Sequence, residues 1–300
     1  MKKILTLLAL IIIIAVGIGV YYMTPRAPDV VTVNDETAAT ATTTPVGNQT
    51  QDNATSTVIG VSVEGRNITA YHFGTGSKEL LFIGGIHGGY EWNTVLVAYQ
   101  LMDYLEANPS VVPANVKVTV IPVLNPDGLN KVVGTAGRFT QANVSSSQEV
   151  QVAGRFNANT VDLNRNFDCD WQASGTWQTK TVSGGSAAFS EPESQAIKDY
   201  AGSKKPAAAV VWYSAAGGVF ASNCHSGVSP ETQTLTGKFA AASGYPAHES
   251  FDFYSITGDM VNWFAKENIP AISVLLTNHT DTEWTKNQAG IQALLTYYAE

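Results

Sequence analysis

Four short apolar runs constrain this chain more than any other feature: residues 80–83 (LLFI), 116–123, 207–212 and 271–276. Runs this brief and this uniformly apolar read as strands buried on both faces, as in a mostly parallel sheet with helices packed on either side. The segments between them supply the helices. Residues 93–107 carry Val95, Leu96, Ala98, Leu101, Met102 and Leu105 at helical spacing, and Ile291, Leu294, Leu295 and Tyr298 do the same over 287–298. Ser190-Glu191-Pro192-Glu193 reads as a capping box opening a helix that runs to Tyr200, with Gly202 as its stop. Ser229-Pro230-Glu231 opens another that ends near Gly244, and Asp259 caps a short one reaching Trp263. Residues 58–63 and 68–73 alternate around Glu64-Gly65-Arg66-Asn67 as a hairpin. The fold class is α/β, a mixed sheet covered on both faces.

Upstream of this pattern the chain changes character. Lys2 and Lys3 precede an uncharged apolar run ending at Met23, long enough to cross a bilayer. The flanking positive charge places the N-terminus in the cytoplasm and the rest outside. Residues 1–23 are therefore expected to be a single-pass membrane anchor, with a cleaved signal segment and a secreted product as the alternative. Residues 24–56, rich in Thr, Ala and Asn, read as a disordered linker, which leaves 57–300 as the folded domain. Two cysteines, Cys169 and Cys224, allow one disulfide in such a compartment; two buried thiols are the other reading. A net charge of -8 without clustered Lys or Arg excludes a nucleic-acid partner.

In sheets of this kind ligands bind beyond the carboxyl ends of the strands. Four chemistry-bearing features fall there: His87 with Glu91, the turn Asn125-Pro126-Asp127-Gly128, the segment 161–167 (VDLNRNF), and Tyr213-Ser214. The polar stretch 129–185 lacks periodicity and reads as a long loop carrying binding residues. Taken together, GGIHGGYE, NPDG, VDLNRNF, FSEPE, YSITGDMVNW and IPAISVLL occur in an order that resembles the zinc metallocarboxypeptidases of the carboxypeptidase A type, from about residue 80 to 295. The resemblance implies an eight-stranded mixed sheet, a zinc cofactor and a peptide substrate held by its C-terminus. It puts His87 and Glu91 in the place of the first two zinc ligands, and Asn164 with Arg165 in that of the pair holding the terminal carboxylate. Arg155 is the candidate to stabilise a developing oxyanion, with Arg138 as alternative, and Tyr254 the tyrosine that covers the substrate. Glu191 is assigned to the helix cap and to Arg165, and Val261, with Asp259 nearby, lies near the specificity position.

The chain departs from the family in three places. Glu91 follows His87 by four residues rather than three, a spacing that still shares one face if both lie on a helix. Tyr213 stands where the third ligand histidine belongs, and Leu275 where the general-base glutamate belongs. A neutral phenol is a poor zinc ligand, and a leucine moves no proton. His225, His279 and Glu283 are the residues that could fill the gaps; His72 and His248 read as surface histidines. The expectation is a membrane-anchored, extracytoplasmic carboxypeptidase-like protein that recognises peptide C-termini or cell-wall peptides without a complete zinc site. An active zinc peptidase with a rearranged ligand set is the alternative.

Overall fold

Alternation along each buried strand decides which side of the sheet a residue packs on. A computed structural model describes residues 55–300. In β3 (Lys78–Ile83), Leu80 and Phe82 join one core, and Leu81 and Ile83 the other. β3 is flanked by two parallel strands, β4 (Val116–Ile121) and β7 (Ala208–Ser214), and β7 pairs in parallel with β10 (Ala271–Leu276). The hairpin β1 (Thr55–Val61) and β2 (Asn67–Phe73) adds to β4 in antiparallel fashion, while β8 (Gly218–Ala221) and then β9 (Ala247–His248) extend the sheet beyond β10. The eight strands run in the order β1-β2-β4-β3-β7-β10-β8-β9, the mixed, centrally parallel sheet expected from the motifs.

One face packs against α1 (Trp92–Ala107), α2 (Pro126–Val133), α5 (Pro230–Ser243) and α7 (Trp284–Ala299), through residues such as Leu101, Leu129, Phe239 and Leu294. The other packs against α4 (Pro192–Lys204) and α6 (Met260–Lys266) through Ile197, Tyr200, Met260 and Phe264. With both faces covered, the central strands β3, β4, β7 and β10 bear no exposed side chains, which is why they are near-continuously apolar in sequence.

Several expectations are corrected. NPDG is not a free turn: Asn125 Oδ1 accepts from Gly128 N at 2.8 Å and caps α2, with Pro126 in the first turn. The stretch 129–185 holds the end of α2, a short helix α3 (Gln148–Ala153) and a separate two-stranded hairpin, β5 (Ser174–Trp177) and β6 (Lys180–Ser183). The capping box does not form. Glu191 is the residue preceding α4, and its N–H donates to Asn166 Oδ1 at 3.1 Å, while Glu193 accepts instead from Val63 N and Asn157 Nδ2. A buried amide that already spans Gly184 O and Ala187 O outcompetes a serine for that end of the helix. α4 passes Gly202 and stops at Lys204, before Lys205 in the left-handed region. The four-residue β8 is too short to leave a periodic signal. β1 begins at Thr55, so residues 55–56 belong to the domain rather than the linker; the anchor at 1–23 and the linker up to 54 lie outside the described residues. Among the described residues no helix is long and apolar enough to cross a membrane.

Candidate functional site

The carboxyl ends of β3, β7 and β10 open into a cavity of about 510 Å³, with His87, Glu91, Arg155, Asn164, Tyr213 and Leu275 in its wall. Between β3 and α1 the chain crosses a tight turn, with Gly88 at φ 45°. A Cβ at Gly88 would lie 2.7 Å from Gly154 O, so only glycine lets this turn pack against the start of the Arg155 segment. His87 and Glu91 therefore meet across a turn, not along a helix as expected; Glu91 is the residue before α1. His87 Nδ1 lies 2.8 Å from Glu91 Oε1 and Nε2 lies 3.3 Å from Asp162 Oδ1. Neither approach is aligned as a hydrogen bond, and both ring nitrogens and Glu91 Oε2 are buried without a hydrogen-bonding partner.

Asp162, which the sequence reading left without a role, organises the centre. Fully buried, it accepts from Arg155 Nε at 3.0 Å and lies 2.8 Å from Arg155 NH2. Burial opposes its ionisation, but Arg155 and His87 outweigh burial and hold the carboxyl well below the usual carboxylate range. The Arg155 guanidinium lies 4.4 Å from the Trp177 ring centroid and 5.7 Å from that of Tyr90, so the β5–β6 hairpin forms a lid over it. Its NH1 reaches only to 3.7 Å from Glu91. Arg138, the alternative, pairs with Asp103 and stacks on Tyr99 away from the cavity wall.

Asn164 lies in the cavity wall, but Arg165 does not. Arg165 sends Nε and NH2 to Thr176 O (3.1 and 2.6 Å) and NH1 to Asn164 O (2.6 Å), fastening the hairpin from beneath, with the Tyr254 ring 5.9 Å above it. Glu191 accepts from Asn157 and Asn159 rather than serving Arg165. Asp259 caps α6 through Asn262 N at 2.7 Å and lies 3.3 Å from Asn164 Nδ2; burial pushes its carboxyl up. Val261 lines the same cavity.

Tyr213 and Leu275 are register partners on β7 and β10, and both face the cavity. The Tyr213 hydroxyl donates to Asn164 Oδ1 at 3.2 Å, and burial, with the negative fields of Asp259 and Glu91, pushes the phenol well above its ordinary range. It is a committed neutral donor. Of the residues proposed to fill the gaps, His225 is 71% exposed and pairs with Asp170 at the surface, and Glu283 is bound to Tyr245, Thr277 and Lys286. His279 does reach the cavity, its ring 4.8 Å from that of Tyr90 and its Nδ1 buried without a partner; burial pushes the imidazole down, so it is neutral near pH 7. Among the described residues no three His, Cys, Asp or Glu side chains converge to hold a metal. A catalytic zinc needs three protein ligands. His87 and Glu91 supply two, so the donor set does not fit that ion.

Asp162 was legible within VDLNRNF; the Trp177 lid could have been suspected from the β-branched Thr176, Thr181 and Val182 on either side of a two-residue turn. Cys169 and Cys224 form a disulfide, with Cα atoms 6.1 Å apart.

The sequence matches the zinc carboxypeptidase family, peptidase M14, over residues 44–293. It is 28% identical over 247 residues to gamma-D-glutamyl-L-diamino acid endopeptidase 1 of Lysinibacillus sphaericus, covering 75% of this chain and 61% of that protein. It is 33% identical over 127 residues to chicken (Gallus gallus) carboxypeptidase Z, 38% of this chain and 18% of that one. The chain thus spans about three-fifths or less of the length of these two relatives. In fold it is similar to the murein-tripeptide amidase MpaA of Escherichia coli O157 (TM-score 0.56, 20% identity, covering 80% of this chain and 91% of that one). It is also similar to thrombin-activatable fibrinolysis inhibitor (TM-score 0.63, 17% identity, 83% and 68%). With a family match across most of its length and the eight-stranded sheet that the motifs imply, this chain belongs to the zinc carboxypeptidase family.

Proposed function

We propose that this protein is a membrane-anchored, extracytoplasmic domain that holds a short peptide of the cell-wall class in the cleft at the ends of β3, β7 and β10, without hydrolysing it. The observation that carries this reading is the register pair Tyr213–Leu275. The resemblance puts the family's third ligand and its general base at these two positions, side by side, and the tyrosine hydroxyl is tied to Asn164. What remains suits recognition: Arg155 and Asn164 both line the cavity, with Arg155 held by Asp162 and its NH1 3.7 Å from Glu91 Oε1. The relatives named for murein tripeptide and for a gamma-D-glutamyl-diamino acid bond favour a cell-wall peptide over a protein terminus.

A second reading, a hydrolase with a rearranged ligand set, has one observation in its favour: His279, neutral, buried at Nδ1 and in the same cavity. Elemental analysis and calorimetry on the purified full chain separate the two. Binding of a free-carboxylate murein tripeptide should survive chelation, be weaker for the C-terminally amidated peptide, and occur without stoichiometric zinc. Zinc at one per chain that is lost in His87→Ala, or chelator-sensitive cleavage, would overturn the recognition reading in favour of the hydrolase.

A further inference from the structure

One bank of the cleft is an irregular segment between β9 and α6, and it carries a chain of aromatic rings from the interior to the surface. Tyr254 meets Phe251 edge-on at 5.0 Å, and Phe251 meets Phe253 in the same way at 5.1 Å. Both phenylalanines rest on Phe220 of β8, at 5.6 and 6.0 Å, and Phe220 in turn stacks on His248 at 4.4 Å. Phe220 is 2% exposed and fixes the base; Phe253 is 60% exposed, the most exposed large apolar side chain among the described residues. A single exposed apolar residue is ordinary, but this one ends a supported stack that is continuous with the cavity wall.

The amides and hydroxyl beside the stack are neutral; of the carboxylates, Asp259 in the same wall is taken up by Asn262 N and Asn164 Nδ2, while Glu249 and Asp252 are exposed beside the phenylalanines. Asn223, Asn262 and Ser250 share the cavity wall with Phe220, Phe251 and Phe253, and Asn262 Oδ1 accepts from Asn223 N at 3.0 Å. Among the described residues, Arg155 is the arginine in the wall and is engaged by Asp162, and no lysine lines the cavity. An anionic ligand would find no free cation at this bank, and a purely apolar partner would leave the amides unsatisfied. A pyranose ring satisfies both surfaces: its C–H face packs on an aromatic ring, and its hydroxyls and N-acetyl group bond to amides and hydroxyls.

We propose that the Phe251–Phe253 bank is a saccharide subsite, seating a sugar ring of the glycan to which a cell-wall peptide is attached while the peptide lies in the cleft. This rests on the peptide-binding reading above. The test is calorimetry on the full chain with two probes: an N-acetylglucosaminyl-N-acetylmuramyl peptide, and the same peptide without the disaccharide. The glycosylated probe should bind about tenfold more tightly. Phe253→Ala should abolish that difference and leave the bare peptide unchanged, and Phe253→Tyr should retain it; because Phe253 is exposed, both variants should keep the wild-type circular dichroism spectrum. Equal affinity of the wild type for the two probes would overturn the subsite. So would an equal loss for both probes in Phe253→Ala, which would make the bank a seat for a peptide side chain. Binding of the glycosylated probe alone would sustain the subsite and remove the peptide-binding reading; binding of neither would remove both.

Discussion

The Tyr213 hydroxyl bonds to an amide oxygen that also accepts from Met260 N, so the phenol is one of two donors fixing Asn164 and through it the start of α6. The ring centroids of His87 and Tyr213 are only 5.8 Å apart, which places the substituted position beside the two surviving donors. Tyr213→His should therefore raise the zinc content of the purified protein from substoichiometric to about one per chain, since it restores a third protein ligand. Adding Leu275→Glu should then bring hydrolysis of a C-terminal peptide, because a positioned base contributes roughly 10²–10⁴ in rate. Elemental analysis and a peptide-release assay check the two steps separately. Zinc content unchanged by Tyr213→His would mean that His87 and Glu91 are not disposed as half of a metal site.

Between β10 and α7, residues 277–283 are tied down at both ends. Asn93, fully buried, donates through Nδ2 to Asn278 O and Asp281 O while its Oδ1 accepts from Ser214 Oγ at the end of β7. Glu283 closes the other end, accepting from Thr277 N (2.7 Å), Thr277 Oγ1, Tyr245 OH and Lys286 Nζ. Partial burial opposes its ionisation, but these donors outweigh it and hold the carboxyl down to about 2 from 4.5. A depressed carboxyl stabilises the fold fully above its unfolded value and loses that contribution as pH falls toward its folded value. Glu283→Gln should thus cost about 1–2 kcal/mol at pH 7, the scale of hydrogen bonds to a partly exposed charge. In denaturant titrations the gap to the wild type should close between pH 4.5 and about 2; a pH-independent gap would show that the charge is not what matters. The loop also shows why sequence reading stopped where it did. Apolar runs and paired glycines announce strands and their ends, so β3, β7, β10 and the break after Ile83 were legible, but not the turn across which His87 meets Glu91. Which donors a buried carboxylate or guanidinium finds depends on segments far apart in the chain. Arg165 spends itself on Thr176 O and Glu283 on Tyr245, contacts that no local pattern specifies.

Over the whole molecule, the covalent tie between Cys169 and Cys224 joins two segments that each supply residues to the cavity wall. Cys169 follows the segment that carries Asp162, Asn164 and Arg165, and Cys224 follows β8, next to Asn223 in the cavity wall. Cys169 O also accepts from Gly258 N, and Gly258 O from Phe167 N, so the entry to α6 is docked on the same segment. These noncovalent contacts fix the geometry in the folded state whether or not the sulfurs are joined. The disulfide acts mainly on the unfolded chain, where closing a loop of 55 residues removes entropy worth about 4 kcal/mol in the loop-closure model. Replacing both cysteines by alanine should therefore lower the unfolding free energy by up to that amount while leaving peptide affinity within about twofold. Denaturant unfolding and calorimetry on the same variant check both halves. A large fall in affinity would mean that the bridge shapes the folded cleft itself, and two free thiols in the unreduced native protein would remove the bridge altogether. A bridge that withstands isolation without added oxidant is also what the extracytoplasmic reading requires, because a reducing cytoplasm would keep the pair as thiols.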